Sequence, residues 1–290
     1  MTISGGAIHS VPVMRFLKQL GAVALVSVIG SNLVAQVSDN PILTLALGAA
    51  TAVLAILAYR WVVRRTEQRT PDELAPEGAV RPLWRGTLLG VALFGAVIVA
   101  IGALGHYRVD GPGTVLGALG VLGFMAAAAT TEELIFRGIL FRHLEKRAGT
   151  WIALGSTGLL FGLMHLANPN ASLWAAIAIA VEAGGMLGAA YVATRSLWLP
   201  IGLHLGWNFA EAGIFGTEVS GKTSEGLLDG VLSGPALLSG GAFGPEASVF
   251  SLLAGLLATA VFMWIARRRG FVVPRRRGTT PAELTATLAR

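Results

Sequence analysis

Cysteine is absent from the 290 residues, which excludes disulfides, thiolate metal sites and a cysteine nucleophile. Charge is scarce as well. Asp, Glu, Lys and Arg make up 13% of the chain, against about 25% in an ordinary soluble domain. That leaves too few polar groups to coat a water-soluble particle of this size. Several proteolytic signatures are also missing. No His is followed by Glu, so His-Glu-x-x-His does not occur. There is no Gly-x-Ser-Gly for a serine nucleophile and no Gly-x-Gly-Asp for an aspartyl pair, and Asp is absent from every long apolar run.

What is present is apolar and blocked. Hydrophobic residues make up 54% of the chain and the mean hydropathy is +0.67. Long apolar blocks are the mark of membrane spans. Eight can be read, near Leu20–Val37, Ile42–Tyr59, Gly86–Leu104, Val115–Phe136, Trp151–Leu166, Ser172–Thr194, Leu197–Ile214 and Val249–Ile265. Most suffice to cross a core of about 30 Å at about 1.5 Å per residue; the fifth and seventh are the shortest. The expected fold is an all-α polytopic bundle of about eight transmembrane helices. Asn40-Pro41 reads as an N-cap and first-turn proline. The expected divisions are 1–112, N-terminal spans and a connector; 113–214, a core; 215–246, a long loop; and 247–290, the last span and a basic tail.

The net charge of +6 sits at the ends of the apolar blocks, as lipid headgroups require, and not in a nucleic-acid-binding pattern. Arg15 and Lys18, Arg60 to Arg85, Arg142 to Arg147, Arg195, and Arg267 to Arg277 all fall on one side if eight segments cross. The positive-inside rule makes that side, and both termini, cytoplasmic in a multi-pass cell-membrane protein. The first segment lacks a clear A-x-A site and is read as a retained span. Arg64–Arg85 reads as a polar cytoplasmic connector. Phe215–Ala247 is either a lid or a flexible loop, the latter being the simpler reading, and Pro281 opens a short helix in the tail.

Ionisable groups inside spans are costly and therefore mark function. Glu133 and Arg137 are four apart on one helix face and form an ion pair, with the acid N-terminal to the base. Glu132 points about 100° away and is free for another partner. His165 stands alone in the fifth segment, as a core residue or a catalytic one. His204 and Asn208 share a face, which Glu211 continues, and Gly206 between them permits close backbone approach. A His and an Asn side by side offer two donors to one point, as an oxyanion hole requires, or bind helix to helix. Glu182, beside Gly184-Gly185, pairs with a buried cation or lines a cavity. Gly113-x-x-x-Gly117 and Gly184-x-x-x-Gly188 are packing faces.

Taken together, Glu132-Glu133-x-x-x-Arg137, Phe161-x-x-x-His165 and His204-x-x-x-Asn208 resemble the three ordered motifs of the CPBP family. That family covers type II CaaX prenyl endopeptidases and bacteriocin-processing or self-immunity (Abi) proteins. The resemblance runs from about Val115 to Ile214. It implies an intramembrane endopeptidase acting near the cytoplasmic face on a peptide or protein substrate, lipidated or membrane-bound. Glu132 would activate water with His165, His204 and Asn208 would hold the oxyanion, and Glu133, Arg137 and Phe161 would support the site. Glu182 and Glu211 are second-tier. No cofactor is expected; the alternative is zinc on Glu132, His165 and His204, whose types match a His₂Glu set. A silent immunity or binding protein and a proton-coupled transporter are the competing functions.

One geometric demand follows. With straight helices starting flush at the surface, His165 would lie about 20 Å deep and His204 about 10 Å, with Glu132 near its helix end. These depths do not meet. Either Arg137–Arg147 dips inward, or the fifth segment starts below the surface or tilts.

Overall fold

The structure is a computed structural model and describes residues 7–223 and 225–275. The tail helix expected from Pro281 lies outside the described residues. Among the described residues, eight helices build the bundle: α1 Ala7–Gln36, α2 Pro41–Glu67, α3 Val80–Ala103, α4 Val115–Ala148, α5 Thr150–Ala167, α6 Leu173–Thr194, α7 from Trp198 through Ile214, and α8 Val249–Arg268. Seven of them are long and apolar enough to cross a membrane. The chain is an all-α polytopic membrane bundle. Asn40 caps α2 as expected, its side chain accepting from the Leu43 N–H ahead of Pro41.

The exception among the expected spans is α7, and its start explains why. The chain before it is tucked inside the bundle: the Leu197 N–H donates to the Glu73 carbonyl, and the Trp198 indole donates to Ala75 O. Glu73 belongs to the connector, where Asp72–Leu74 forms one 3₁₀ turn with Glu73 buried. The Arg64–Arg85 stretch is therefore no plain surface link. It dips inward and carries the foot of α7.

A buried ionic belt holds this end together. Arg142 grips Glu67 with both guanidinium nitrogens, at 2.7 and 2.5 Å. Arg69 grips Glu73 likewise, at 2.8 and 2.7 Å. Gln19 of α1 donates to Glu67, and the Tyr59 hydroxyl lies between Glu73 and the Gly138 carbonyl. Arg195 pairs with Glu145 at 2.5 Å. The ends of α1, α2, α4, α6 and α8 that carry the basic residues thus share one end of the bundle. Burial alone would push the Glu73 carboxyl upward, but the hydrogen bonds from Arg69, the Arg142 charge and the Tyr59 hydroxyl together outweigh that and hold it below the ordinary glutamate value.

Close backbone seams set the helix spacing. A Cβ on Gly202 or Gly206 would lie 2.0 or 2.1 Å from the carbonyl oxygen of Leu83 or Thr87 on α3. Gly86 and Gly90 answer from α3, at 2.3 Å from Leu199 O and Leu203 O. Only glycine allows α3 and α7 to approach this closely. Gly113, Gly117, Gly184 and Gly188 also serve packing: Gly113 and Gly117 meet the backbone of Gly226 and Glu225, Gly184 meets Gly158, and Gly188 meets the Leu154 side chain.

The Phe215–Ala247 segment is folded. Leu228–Leu232 (β2) pairs antiparallel with Tyr107–Pro112 (β1), and the Tyr107 hydroxyl donates to Phe215 O. Glu246 accepts from the N–H and hydroxyl of Ser220 at 3.0 and 2.7 Å. The Trp174 indole fixes Ala247 O from α6. The flexible-loop expectation gives way to a structured cap.

Candidate functional site

The depth problem is resolved by α4. It does not stop at Phe136. It runs on through Leu134–Phe141, where the winding loosens to a π-helix, and ends at Ala148. Arg137 and Arg142 are buried, so the basic stretch dips inward, one of the expected solutions. Glu132 then lies about 24 Å from the Ala148 end of α4, and His165 about 22 Å along α5. The foot of α7 sits near the level of Gly138, about 15 Å in from Ala148, and His204 is about 9 Å further on. The three depths agree near the middle of α4.

Glu132, His165, His204 and Asn208 all line one cavity of about 450 Å³. Glu132 is 36% exposed, into that space, whereas Glu133 is fully buried. The two neighbouring acids part as the 100° step of a helix requires. Glu133 Oε1 accepts from Arg137 Nη1 at 2.7 Å. The same oxygen lies 3.1 Å from His204 Nδ1, and Glu132 Oε2 lies 3.9 Å from His204 Nε2. The His204 ring thus has one carboxylate on each nitrogen. With Nδ1 turned to Glu133, Nε2 faces Glu132 and the cavity. The Glu133–His204 contact is absent from the sequence reading; it joins residues 71 apart.

Phe161 sits at the hub. Its carbonyl accepts from His165 Nδ1 at 2.7 Å, which leaves Nε2 of His165 as the bare nitrogen. Its ring packs edge-on to Phe136 at 4.9 Å, against His165 at 4.9 Å and His204 at 6.1 Å. The Arg137 guanidinium lies 4.9 Å from the ring centre, a cation–π contact in a dry setting. Arg137 Nη2 also donates to the Ala183 and Gly184 carbonyls of α6. A single four-residue spacing, Phe161 to His165, therefore ties three helices.

The second-tier acids lie elsewhere. Glu182 and Glu211 are buried, and among the described residues neither carboxylate oxygen of either has a hydrogen-bond partner. Each sits in a π-helical stretch, Ala180–Gly185 or Phe209–Ile214. Glu211 packs against the Gly244 turn of the cap, and neither acid lines the cavity. Glu246 does line it, together with Ser220 and Lys222, and sequence reasoning had not singled these out. Among the described residues, no three His, Asp or Glu side chains converge closely enough to hold a metal ion.

An acid, two imidazoles and an amide thus share one cavity among the helices of a membrane bundle. Residues 113–210 match the family described as type II CAAX prenyl endopeptidase Rce1-like. The match is confined to this stretch, for which it supports a likeness to the CPBP/CAAX proteases and, in general, to CAAX-type intramembrane endopeptidases. No curated protein and no solved structure matches the chain.

Proposed function

We propose that this protein is an intramembrane endopeptidase of the glutamate type, with Glu132 as the base. The observation that carries this reading is the shared cavity: one acid, two imidazoles and one amide reach it from three helices, with Glu133 bracing the far side of His204. Glu132 takes a proton from water held with the help of His165 Nε2. The hydroxyl oxygen attacks the scissile carbonyl carbon. The carbonyl oxygen becomes an oxyanion and accepts from His204 Nε2–H and the Asn208 amide, each donor lowering the barrier by about 3–4 kcal/mol. The C–N bond then breaks, and the proton on Glu132 passes to the departing amine nitrogen. The reaction runs without a metal ion. The amide of Asn208 suits an oxyanion better than zinc, and Nδ1 of His204 is engaged by Glu133.

Sidedness follows from the same geometry. From Glu132 the cavity extends along Ala128 and Phe124 to Lys222 and Asn168, away from the ionic belt. With the basic end cytoplasmic, as the positive-inside rule has it, substrate enters from the opposite face. On this reading the opening faces away from the cytoplasmic leaflet, the alternative to the cytoplasmic-face cleavage that the motif resemblance implies. The substrate is a membrane peptide, lipidated or not.

The test compares the peptides of membranes carrying the wild type with those carrying Glu132→Gln, by mass spectrometry. Cleavage products present only with the wild type are expected, and chelators should leave them unchanged. Identical peptide sets would remove the protease reading, and chelator-sensitive cleavage with stoichiometric zinc would replace the base by a metal.

A further inference from the structure

Part of the cavity wall comes from α1, which lies outside the residues that match the family. From Leu20 to Ala35, one residue short of the terminal Gln36, this helix has only three polar side chains, Ser27, Ser31 and Asn32. All three line the catalytic cavity. The rest of that stretch is Ala, Gly, Val, Leu and Ile, suited to lipid and to the neighbouring helices. Chance placement would scatter polar groups around the helix. Here all three fall on the side of the helix that borders the cavity Glu132 also lines.

The chemistry of a peptide substrate supplies the reason. A scissile bond must leave helical pairing to be attacked, and each freed N–H and C=O in a bilayer then lacks a partner. Asn32 is prepared for this. Its Nδ2 already donates to Val28 O at 2.7 Å, so Oδ1 is left as an acceptor. Ser27 and Ser31 are one helical turn apart, about 6 Å along the axis. Alternate residues of an extended chain are about 6.6 Å apart. The stripe therefore matches the groups that an extended peptide presents along one edge.

We propose that Ser27, Ser31 and Asn32 form a subsite for the backbone of an extended substrate segment, with Asn32 Oδ1 accepting a substrate N–H. Resting as it does on the proteolytic reading of the site, this assigns α1 to positioning and not to bond breaking. It also specifies an unwound peptide as the form that is bound.

The experiment is a cycle between Asn32→Ala and ester-for-amide peptides. The probe is a fluorescein-labelled decapeptide of Ala, Val and Leu, together with analogues in which one backbone N–H at a time is replaced by an ester oxygen. In neutral-lipid nanodiscs, Asn32→Ala should lower kcat/KM on the all-amide peptide about five- to tenfold, the scale of one hydrogen bond. On the ester analogue lacking the matching N–H, the same substitution should cost less than about twofold, because the partner is already gone. A merely structural role for Asn32 would weaken all the peptides alike. The same cycle is read as Kd on the Glu132→Gln protein, so the subsite is tested even if no bond is cut. Wild-type kcat/KM and Kd in Asn32→Ala, or equal losses on every analogue, would overturn the assignment. Products that persist with unchanged Glu132 dependence would then leave the protease reading standing.

Discussion

Gly206 lies between His204 and Asn208 and is the most direct handle on the site that touches none of its polar atoms. A Cβ there would sit 2.1 Å from the Thr87 carbonyl oxygen, where ordinary contact begins at 3.4 Å. The obstacle is helix backbone, so no rotamer relieves it. Gly206→Ala must push α7 from α3 by about 1.3 Å, and overpacking of this kind costs about 1–3 kcal/mol. The larger effect falls on chemistry. A misplacement of about 1 Å costs about 10²-fold, and both proposed oxyanion donors ride on α7. Their contribution belongs to the transition state, so the loss should appear in kcat with KM little changed. The assay is Glu132-dependent peptide cleavage in detergent, alongside helix content and thermal unfolding. Gly95→Ala is the control, since its Cβ would meet nothing nearer than 3.9 Å; it should match the wild type. A folded Gly206→Ala protein with wild-type kcat would refute the claim that the α3–α7 seam sets the site.

Two further outcomes are expected. Glu73 is held below the ordinary glutamate value because, against the upward push of burial, Arg69 hydrogen bonds and the Arg142 charge favour its ionised form. A depressed folded pKa means its stabilisation is fully present above the ordinary glutamate value of 4.5 and is lost as pH falls through the lower folded value. The gap in thermal stability between the wild type and Glu73→Gln should therefore be constant near neutrality and close in acid; a gap that widened on acidification would contradict the belt. Orientation can be read cleanly because the chain has no Cys. In intact cells, a membrane-impermeant maleimide should label Lys222→Cys and spare Arg64→Cys, and the opposite pattern would invert the proposed topology.

The bundle was legible because each apolar block is a local property of the chain. So was the Glu133–Arg137 pair, which needs only the four-residue spacing of a helix. The course of α4 beyond Phe136 was not. Arg142 and Glu145 fall between two apolar blocks in sequence, and only distant partners make their burial tolerable: Glu67 for Arg142 and Arg195 for Glu145. For the same reason the sunken foot of α7 and the brace from Glu133 to His204 stayed hidden. Each depends on residues brought together by the fold and not by spacing. The Gly86 and Gly90 half of the α3–α7 seam also escaped notice, since its meaning appears only once Gly202 and Gly206 face it.

The seam has a bearing on what counts as a unit of this molecule. The recognisable signature spans residues 113–210, yet α7 packs chiefly on α3, and its foot rests on the 68–79 connector. Cut out alone, the signature would keep every reactive group and lose the surface that holds two of them in register, together with the Ser27–Asn32 side of the cavity. The part of the chain that declares its chemistry and the part that must be inherited together for that chemistry to work are different lengths, and the longer one reaches back to the first helix.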